Sequence, residues 1–256
     1  EVGGELVRIG PLFAVGIVLL ASTPGGAGSN FIIHAADGDR ALSVTLTAIS
    51  SVIAFATIPI YAAIAFELFL DGQEAAVVVP VAAMVRSVAV LTVIPVAIGM
   101  TIRYRHRAFA QRAEIPSKVL AGVVVGFIIV GVVIDSWETI TGFFAALAPT
   151  IVVLNLSALG LGLLAARLAG LTRRESLAVS VETGVQNSPL AITLALTVIG
   201  EPAMAIPAGL FGLTMLVTAS LVAALGRPWV AADPGAAAAV SVVGPPAGAE
   251  STTPVT

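Results

Sequence analysis

The chain has 256 residues, 58% of them hydrophobic and only 11% charged, and its mean hydropathy is +1.05. Soluble domains carry about 25% charged residues, so the composition excludes one and marks an integral membrane chain. Twelve Lys plus Arg against fifteen Asp plus Glu leave a net charge of −3, with no basic tract and 5% aromatics; nothing is equipped to hold a polyphosphate backbone, which excludes nucleic acid as a partner. The absence of cysteine removes disulfides, thiolate nucleophiles and zinc-thiolate sites together. The sequence opens on Glu1, with no charged n-region and small-residue cleavage site ahead of the first apolar run, so we expect it to begin inside a longer chain.

A spanning helix needs about 20 mostly apolar residues, and the candidate spans lie between charge clusters. A partial span at 6–23 runs into Pro24-Gly25-Gly26 and resumes at 31–36. Full spans are expected at 41–66, 75–102, 119–134, 139–166, 177–200 and 202–225, joined by stretches too short to be domains. Residues 1–225 are thus read as one transmembrane region of about seven spans. From Gly226 onward the chain is rich in Pro, Gly and Ala, and 226–256 is expected to be a disordered tail.

Lys and Arg in the joints set the orientation. Arg40, then Arg103, Arg105, Arg107, Arg112 and Lys118, then Arg167, Arg173 and Arg174, then Arg227 all fall on one side if every span crosses once. The alternate joints carry Glu67, Asp71 and Glu74, then Asp135 and Glu138, then Glu201, without a basic residue. This alternation supports the span count independently of hydropathy and places the C-terminus in the cytoplasm of a cell (plasma or inner) membrane. Arg8 and Arg86 are exceptions; Arg86 reads as a snorkelling side chain or a basic residue on a packed face.

Two apolar segments are broken by polar, helix-incompatible sequence. The first break is Thr23-Pro24-Gly25-Gly26-Ala27-Gly28-Ser29-Asn30 and the second Glu182-Thr183-Gly184-Val185-Gln186-Asn187-Ser188-Pro189. Proline removes a donor and glycine admits backbone other residues avoid, and irregular backbone at membrane depth is tolerated only where protein buries it or it lines a cavity. Each break frees carbonyls and exposes a half-helix N-terminus. Glu182 is the most informative residue, because a charge near mid-span costs about 2.5–3.5 kcal/mol unless partnered. A hard monovalent cation such as Na⁺, held by the carboxylate with carbonyl, hydroxyl and amide oxygens, answers that cost; a protonated Glu182 hydrogen-bonded to a neighbouring helix is the other solution. Ser43 and Thr47 lie one turn apart on one face, either facing the breaks or bonding back to their own helix carbonyls. Asn30 and Asn187 occupy corresponding places in the two breaks, as two halves of one site would. His34 and His106 read as residues of a helix end and a basic joint.

At these residues the sequence resembles the bile acid:sodium symporter family. The stretches 24–30, 41–47 and 182–188 are similar to that family's proline-glycine crossover, its following helix and its second crossover, in order and at the right spacing. The resemblance implies an all-α polytopic membrane protein of ten helices, or nine in some members, built as two inverted five-helix repeats whose two discontinuous helices cross at mid-membrane. It implies one sodium at Ser29, Asn30, Ser43, Thr47 and Glu182, and a second at Glu182 and Gln186 with backbone oxygens of Thr183 and Val185, helped by a side chain from an early helix. Asn187 matches a residue that touches the organic anion. Ala27 stands where bile-acid-binding members can carry a hydroxyl, and Met215-Leu216 where some carry polar substrate contacts. Matching the repeats leaves the first one incomplete, with about three helices expected upstream of residue 1.

The implied function is sodium-coupled symport of an organic anion, a small carboxylate, sulfonate or bile-acid-like molecule, with Na⁺ as coupling ion, no cofactor and a lipid bilayer as setting. A proton-coupled carrier or passive channel using Glu182 is the alternative. The resemblance implies a metalloid-binding cysteine in arsenite permeases, which this chain lacks. An intramembrane enzyme built on Ser29 and His34 fits poorly, since a spacing of five does not share a helix face and no HExxH-type motif occurs.

Overall fold

A computed structural model describes residues 10–70, 81–90, 94–135 and 137–232. Among these the chain is helical, and its sole sheet-like feature is an isolated antiparallel bridge between Gly25 and Gln186. The elements are α1 (Pro11–Ala21), α2 (Ala27–Ala35), α3 (Arg40–Leu70), α4 (Val81–Val88), α5 (Ile94–Arg105), α6 (Arg107–Asp135), α7 (Trp137–Leu168), α8 (Arg173–Gly184), α9 (Ser188–Thr193) and α10 (Ile206–Ala231). A π-helical stretch, Leu194–Ile199, continues α9, and a 3-10 turn, Pro202–Ala205, leads into α10.

Both interruptions expected from the sequence occur. Pro11 at the first turn opens α1, where its missing N–H would have had no partner. At the other end Ser22 and Thr23 turn their hydroxyls back onto the carbonyls of Leu19 and Leu20, each at 2.7 Å, satisfying groups that the stop at Pro24 leaves free. The chain restarts as α2 behind Gly26, then reverses through Asp37, whose φ of 57° is left-handed. Asp39 accepts the Leu42 N–H at 2.9 Å and so caps α3. On the other arm, Thr172 and Glu175 form a reciprocal capping box at the start of α8. That helix stops at Gly184, and Asn187 caps its continuation, α9.

Among the described residues three helices are long and apolar enough to cross a membrane: Arg40–Leu70, Leu147–Leu168 and Pro202–Ala231; Pro11–Ala21 and Ser188–Ile199 are shorter apolar helices. The difference from the expected span list has local causes. The breaks divide the segments 6–36 and 177–200 into half-helices. The basic joint expected at 103–118 is itself helical, since α5 ends at Arg105 and α6 starts at Arg107 and runs through Pro116. Arg8, residues 71–80 and the tail at 233–256 lie outside the described residues.

The expected tail boundary at 226 is also displaced, because α10 continues to Ala231. Gly226 packs against the Leu177 side chain. Arg173 donates to the carbonyls of Trp229 at 3.0 Å and Ala232 at 3.1 Å, supplying donors for the helix end. The guanidinium groups of Arg167 and Arg173 lie 5.8 and 5.5 Å from the Trp229 ring centre, within cation–π range, and Arg227 pairs with Asp37 at 2.8 Å. These contacts hold a Pro- and Gly-containing stretch helical against its composition.

The main core gathers Leu19 and Leu20 of α1, Ile33 of α2, Ile58 of α3, Ile192 of α9 and Phe211 of α10 around the two interruptions. Val52, Ile53 and Leu68 of α3 and Val217, Leu221 and Leu225 of α10 are exposed, an apolar exterior that suits lipid contact. Because lipid removes the hydrophobic drive between helices, close backbone approach at small residues carries much of the packing. A Cβ on Gly162 of α7 would crowd the Thr183 side chain and the Val179 carbonyl of α8, whereas a Cβ on Gly160, two residues earlier, meets open space. Gly162→Ala is therefore expected to lower the melting temperature of the detergent-purified protein by an amount corresponding to about 1–3 kcal/mol of overpacking, and Gly160→Ala to leave it unchanged or raise it slightly. Equal effects of the two would remove the close α7–α8 packing from the account.

Candidate functional site

The two interruptions meet. The Gly26 N–H donates to the Val185 carbonyl at 2.7 Å and the Asn187 N–H to the Pro24 carbonyl at 2.9 Å, closing the bridge between Gly25 and Gln186. Backbone from one break thus satisfies backbone from the other, which is what burial of irregular chain requires. Glycine is needed at this crossing: a Cβ at Gly25 would collide with the Glu182 carboxylate, and one at Gly26 would press on the Gln186 carbonyl.

Glu182, in the last turn of α8, is 6% exposed. Its Oε2 accepts from Ser29 Oγ at 2.6 Å and Ser43 Oγ at 3.0 Å, and its Oε1 accepts from Thr47 Oγ1 at 2.5 Å. Ser29, in the part of the first break that folds as the start of α2, belongs to that helix, and Ser43 and Thr47 to α3. Asn30 joins the cluster by accepting from Ser43 at 2.8 Å. The structure therefore brings together Ser29, Asn30, Ser43, Thr47 and Glu182, residues spread over more than 150 positions in sequence. Back-bonding also occurs, since Thr47 Oγ1 lies 3.0 Å from the Ser43 carbonyl and Ser29 Oγ 2.8 Å from the Gly26 carbonyl.

Proton accounting gives the cluster its chemistry. Each of the three hydroxyls has one proton and two acceptors within reach: Glu182 and the Gly26 carbonyl for Ser29, Glu182 and Asn30 for Ser43, Glu182 and the Ser43 carbonyl for Thr47. Hydroxyls carry a single donor and two lone pairs, and an ionised carboxylate only accepts. Oxygen outnumbers hydrogen, and among the described residues no basic side chain hydrogen-bonds to Glu182. A proton on Glu182 supplies one more donor; a hard cation answers several of these oxygens at once.

The second candidate set is arranged differently. Gln186 donates its Nε2–H to the Thr183 carbonyl at 3.0 Å, while its Oε1 is buried without a hydrogen-bond partner among the described residues. The carbonyls of Thr183 and Val185 each accept one hydrogen bond and keep a second lone pair. The Thr183 hydroxyl turns away to the Val179 carbonyl. Among the candidate substrate contacts, Ala27 opens α2, and Asn187 uses its Oδ1 to cap α9 at the Leu190 N–H, 3.2 Å away. Met215 is buried in the main core, whereas Leu216, its neighbour on α10, is exposed. His34 lies one turn beyond Ser29 on α2 and is exposed.

Two polar residues at or near the crossing, Ser188 within the second break and Asn155 outside both, are given no role by the sequence reading. Ser188 Oγ is fully buried without a hydrogen-bond partner. Asn155 of α7 is fully buried, donates to the Gly184 carbonyl and accepts from Thr218 of α10. A lone amide in the apolar run 147–168 is the sequence mark that points to Asn155.

Comparison with known proteins decides the family. The profile of the Sodium Bile acid symporter family matches residues 5–143. The chain belongs to this family. Among curated members it is similar to the ileal sodium/bile acid cotransporter of Homo sapiens, 30% identical over 188 residues, covering 72% of this chain and 52% of that protein. It is also similar to the probable sodium/metabolite cotransporter BASS1, chloroplastic, of Arabidopsis thaliana, at 27% over 228 residues, 87% of this chain and 54% of the relative. The uncharacterized sodium-dependent transporter YocS of Bacillus subtilis (strain 168) matches at 28% over 212 residues, 82% of this chain and 63% of that protein. The chain spans about half the length of the first two. The Sodium Bile acid symporter family is one of transporters rather than enzymes, and membership agrees with a helical membrane protein.

If the oxygen cluster holds sodium, removing its ligands acts in a graded way. Glu182→Gln is expected to abolish the sodium-induced rise in melting temperature of the purified protein. Ser43→Ala and Thr47→Ala should each raise the half-maximal sodium concentration by about tenfold, the equivalent of about 1.4 kcal/mol. A wild-type sodium response in all three variants would assign the hydroxyls to helix back-bonding alone.

Proposed function

We propose that this chain provides the ion-binding crossing of a sodium-coupled organic anion symporter. The observation that carries the reading is the donor-poor cluster of Glu182, Ser29, Ser43, Thr47 and Asn30, assembled from both broken arms at a bridged crossing. One sodium occupies this cluster. A second lies beside Glu182 and the unpartnered Gln186 Oε1, with the carbonyls of Thr183 and Val185 and a side chain from an early helix contributing to its shell. The names of the relatives, among them two sodium cotransporters and a sodium-dependent transporter, support sodium as the coupling ion.

The anion is proposed to bind beside the half-helix starts at the two breaks, where the positive end of the helix dipole favours negative charge. Ala27, Asn187, Met215 and Leu216 are the proposed substrate-contacting positions, and small carboxylates, sulfonates and bile-acid-like molecules the proposed classes. Sodium charge next to Glu182 leaves the crossing less negative and so favours entry of the anion, which couples the two fluxes. The fold is proposed to follow the inverted five-helix repeat plan with crossing discontinuous helices, working by alternating access around the fixed site. The proposed setting is a cell membrane with the C-terminal end of α10 facing the cytoplasm, where Arg40, Arg167, Arg173, Arg174 and Arg227 gather.

Proteoliposomes carrying the protein at the length of its relatives test the reading. Under an inward sodium gradient, a panel of radiolabelled small carboxylates, sulfonates and bile-acid conjugates should show uptake of at least one anion several-fold above that with choline in place of sodium. Equal uptake in choline, or uptake that follows a pH gradient instead, would contradict sodium coupling and favour the proton-coupled or passive use of Glu182.

A further inference from the structure

We propose that Asn155 is a positioning residue for cation binding, holding the second break in the geometry that its ligands need. The inference rests on the reading of the crossing as a cation site. Asn155 lies in the middle of α7, fully buried, and donates through Nδ2 to the Gly184 carbonyl at 2.7 Å. Gly184 is the last residue of α8, lying between the Thr183 and Val185 peptides and two residues after Glu182. The interruption frees this carbonyl from its helix, and Asn155 is the group that satisfies it.

The neighbouring carbonyls have other partners. Val185 accepts from the Gly26 N–H across the crossing, and Thr183 accepts from Gln186. The peptide on either side of Gly184 is therefore fixed relative to three things: the first break, the Gln186 side chain and α7. With Gly184 anchored, the Thr183 and Val185 carbonyls and the unpartnered Gln186 Oε1 keep set directions. Glycine at 184 allows the approach, since a Cβ there would collide with the Leu159 side chain one turn further along α7. A second tie, Ser180 Oγ to the Leu159 carbonyl at 2.8 Å, secures the preceding turn of α8 to α7.

The amide cannot point the other way. Reversing it would set Oδ1 against the Gly184 carbonyl at the same short distance and Nδ2 against the Thr218 hydroxyl, replacing an attraction with lone-pair repulsion. The acceptor-only Gly184 carbonyl sets this orientation, and Thr218 of α10, whose hydroxyl also lies 2.9 Å from the Thr214 carbonyl, donates to Asn155 Oδ1 and holds the other end of the amide. The relay Thr218–Asn155–Gly184 thus connects the last helix to the break without touching a proposed ion ligand's side chain. Groups that orient ligands in this way typically change metal affinity by about 10–100-fold when removed.

Equilibrium binding of ²²Na⁺ to the purified protein in lipid nanodiscs, recorded beside its melting temperature without sodium, tests the assignment. Asn155→Ala should weaken sodium binding about tenfold. Thr218→Val, which keeps the amide and removes the hydroxyl that holds its oxygen end, should weaken binding less but in the same direction, and the double variant should bind no worse than Asn155→Ala. Should Asn155→Ala fail to fold, Thr218→Val carries the test by itself. Variants that melt earlier yet bind sodium with wild-type affinity would overturn the proposal and leave Asn155 a packing residue. Absence of sodium binding in the wild type would overturn the cation reading of the crossing, and this inference with it.

Discussion

A carboxylate buried where two interrupted helices cross is the constraint on which the rest of this structure depends. Taking Glu182 out of water costs several kcal/mol unless polar groups surround it, and among the described residues no basic side chain hydrogen-bonds to it. The chain supplies hydroxyls instead, Ser29 from one arm and Ser43 and Thr47 from the helix that follows. For those to reach it, the first break must bring α2 against α8. For the breaks to meet, Gly25 and Gly26 must admit Glu182 and Gln186 at backbone contact. Local sequence, backbone pairing and electrostatics thus make one demand in common.

The same demand explains the polar ties further out. Interrupting a helix in an apolar medium leaves carbonyls and N–H groups that water cannot satisfy. The structure answers them one by one: Ser22 and Thr23 at the end of α1, the cross-break pairs of Gly26 with Val185 and Asn187 with Pro24, the cap that Asn187 makes on α9, and Asn155 on Gly184. An arrangement so satisfied by backbone and yet rich in unshared oxygen lone pairs around one carboxylate is suited to an ion that comes and goes. The matched profile covers Ser29, Asn30, Ser43 and Thr47 and ends at residue 143, before Glu182.

The breaks and Glu182 were legible in the sequence because their chemistry is local, whereas the grouping of Ser29, Asn30, Ser43 and Thr47 with Glu182 came from the family resemblance. Pro24 with its glycines, and Gly184 with Pro189, announce interruptions, and a lone Glu in an apolar run announces a site. What composition concealed depends on contacts between distant segments. Residues 226–231 read as tail from Gly226 and Pro228, but Leu177, Arg167, Arg173 and Asp37 hold that stretch as helix. The basic segment at 103–118 reads as a joint from its charge, yet Arg, Lys, Ala and Gln are good helix formers and polar helix suits the membrane surface. Asn155 went unread because its importance comes from a carbonyl freed elsewhere. Asn187, expected at the substrate, is also a helix cap, a role that Asn followed by Ser-Pro announces by itself.

The central claim is that the oxygens around Glu182 form a monovalent cation site, and anomalous scattering from crystals soaked in thallium(I), as a heavy substitute for sodium, tests it most directly. The account predicts a peak within coordination distance of the Glu182 carboxylate and bounded by the hydroxyl oxygens of Ser29, Ser43 and Thr47, which weakens as sodium is added back. A carboxylate that stays hydrogen-bonded to all three hydroxyls, with no peak at the crossing at saturating thallium, would contradict it.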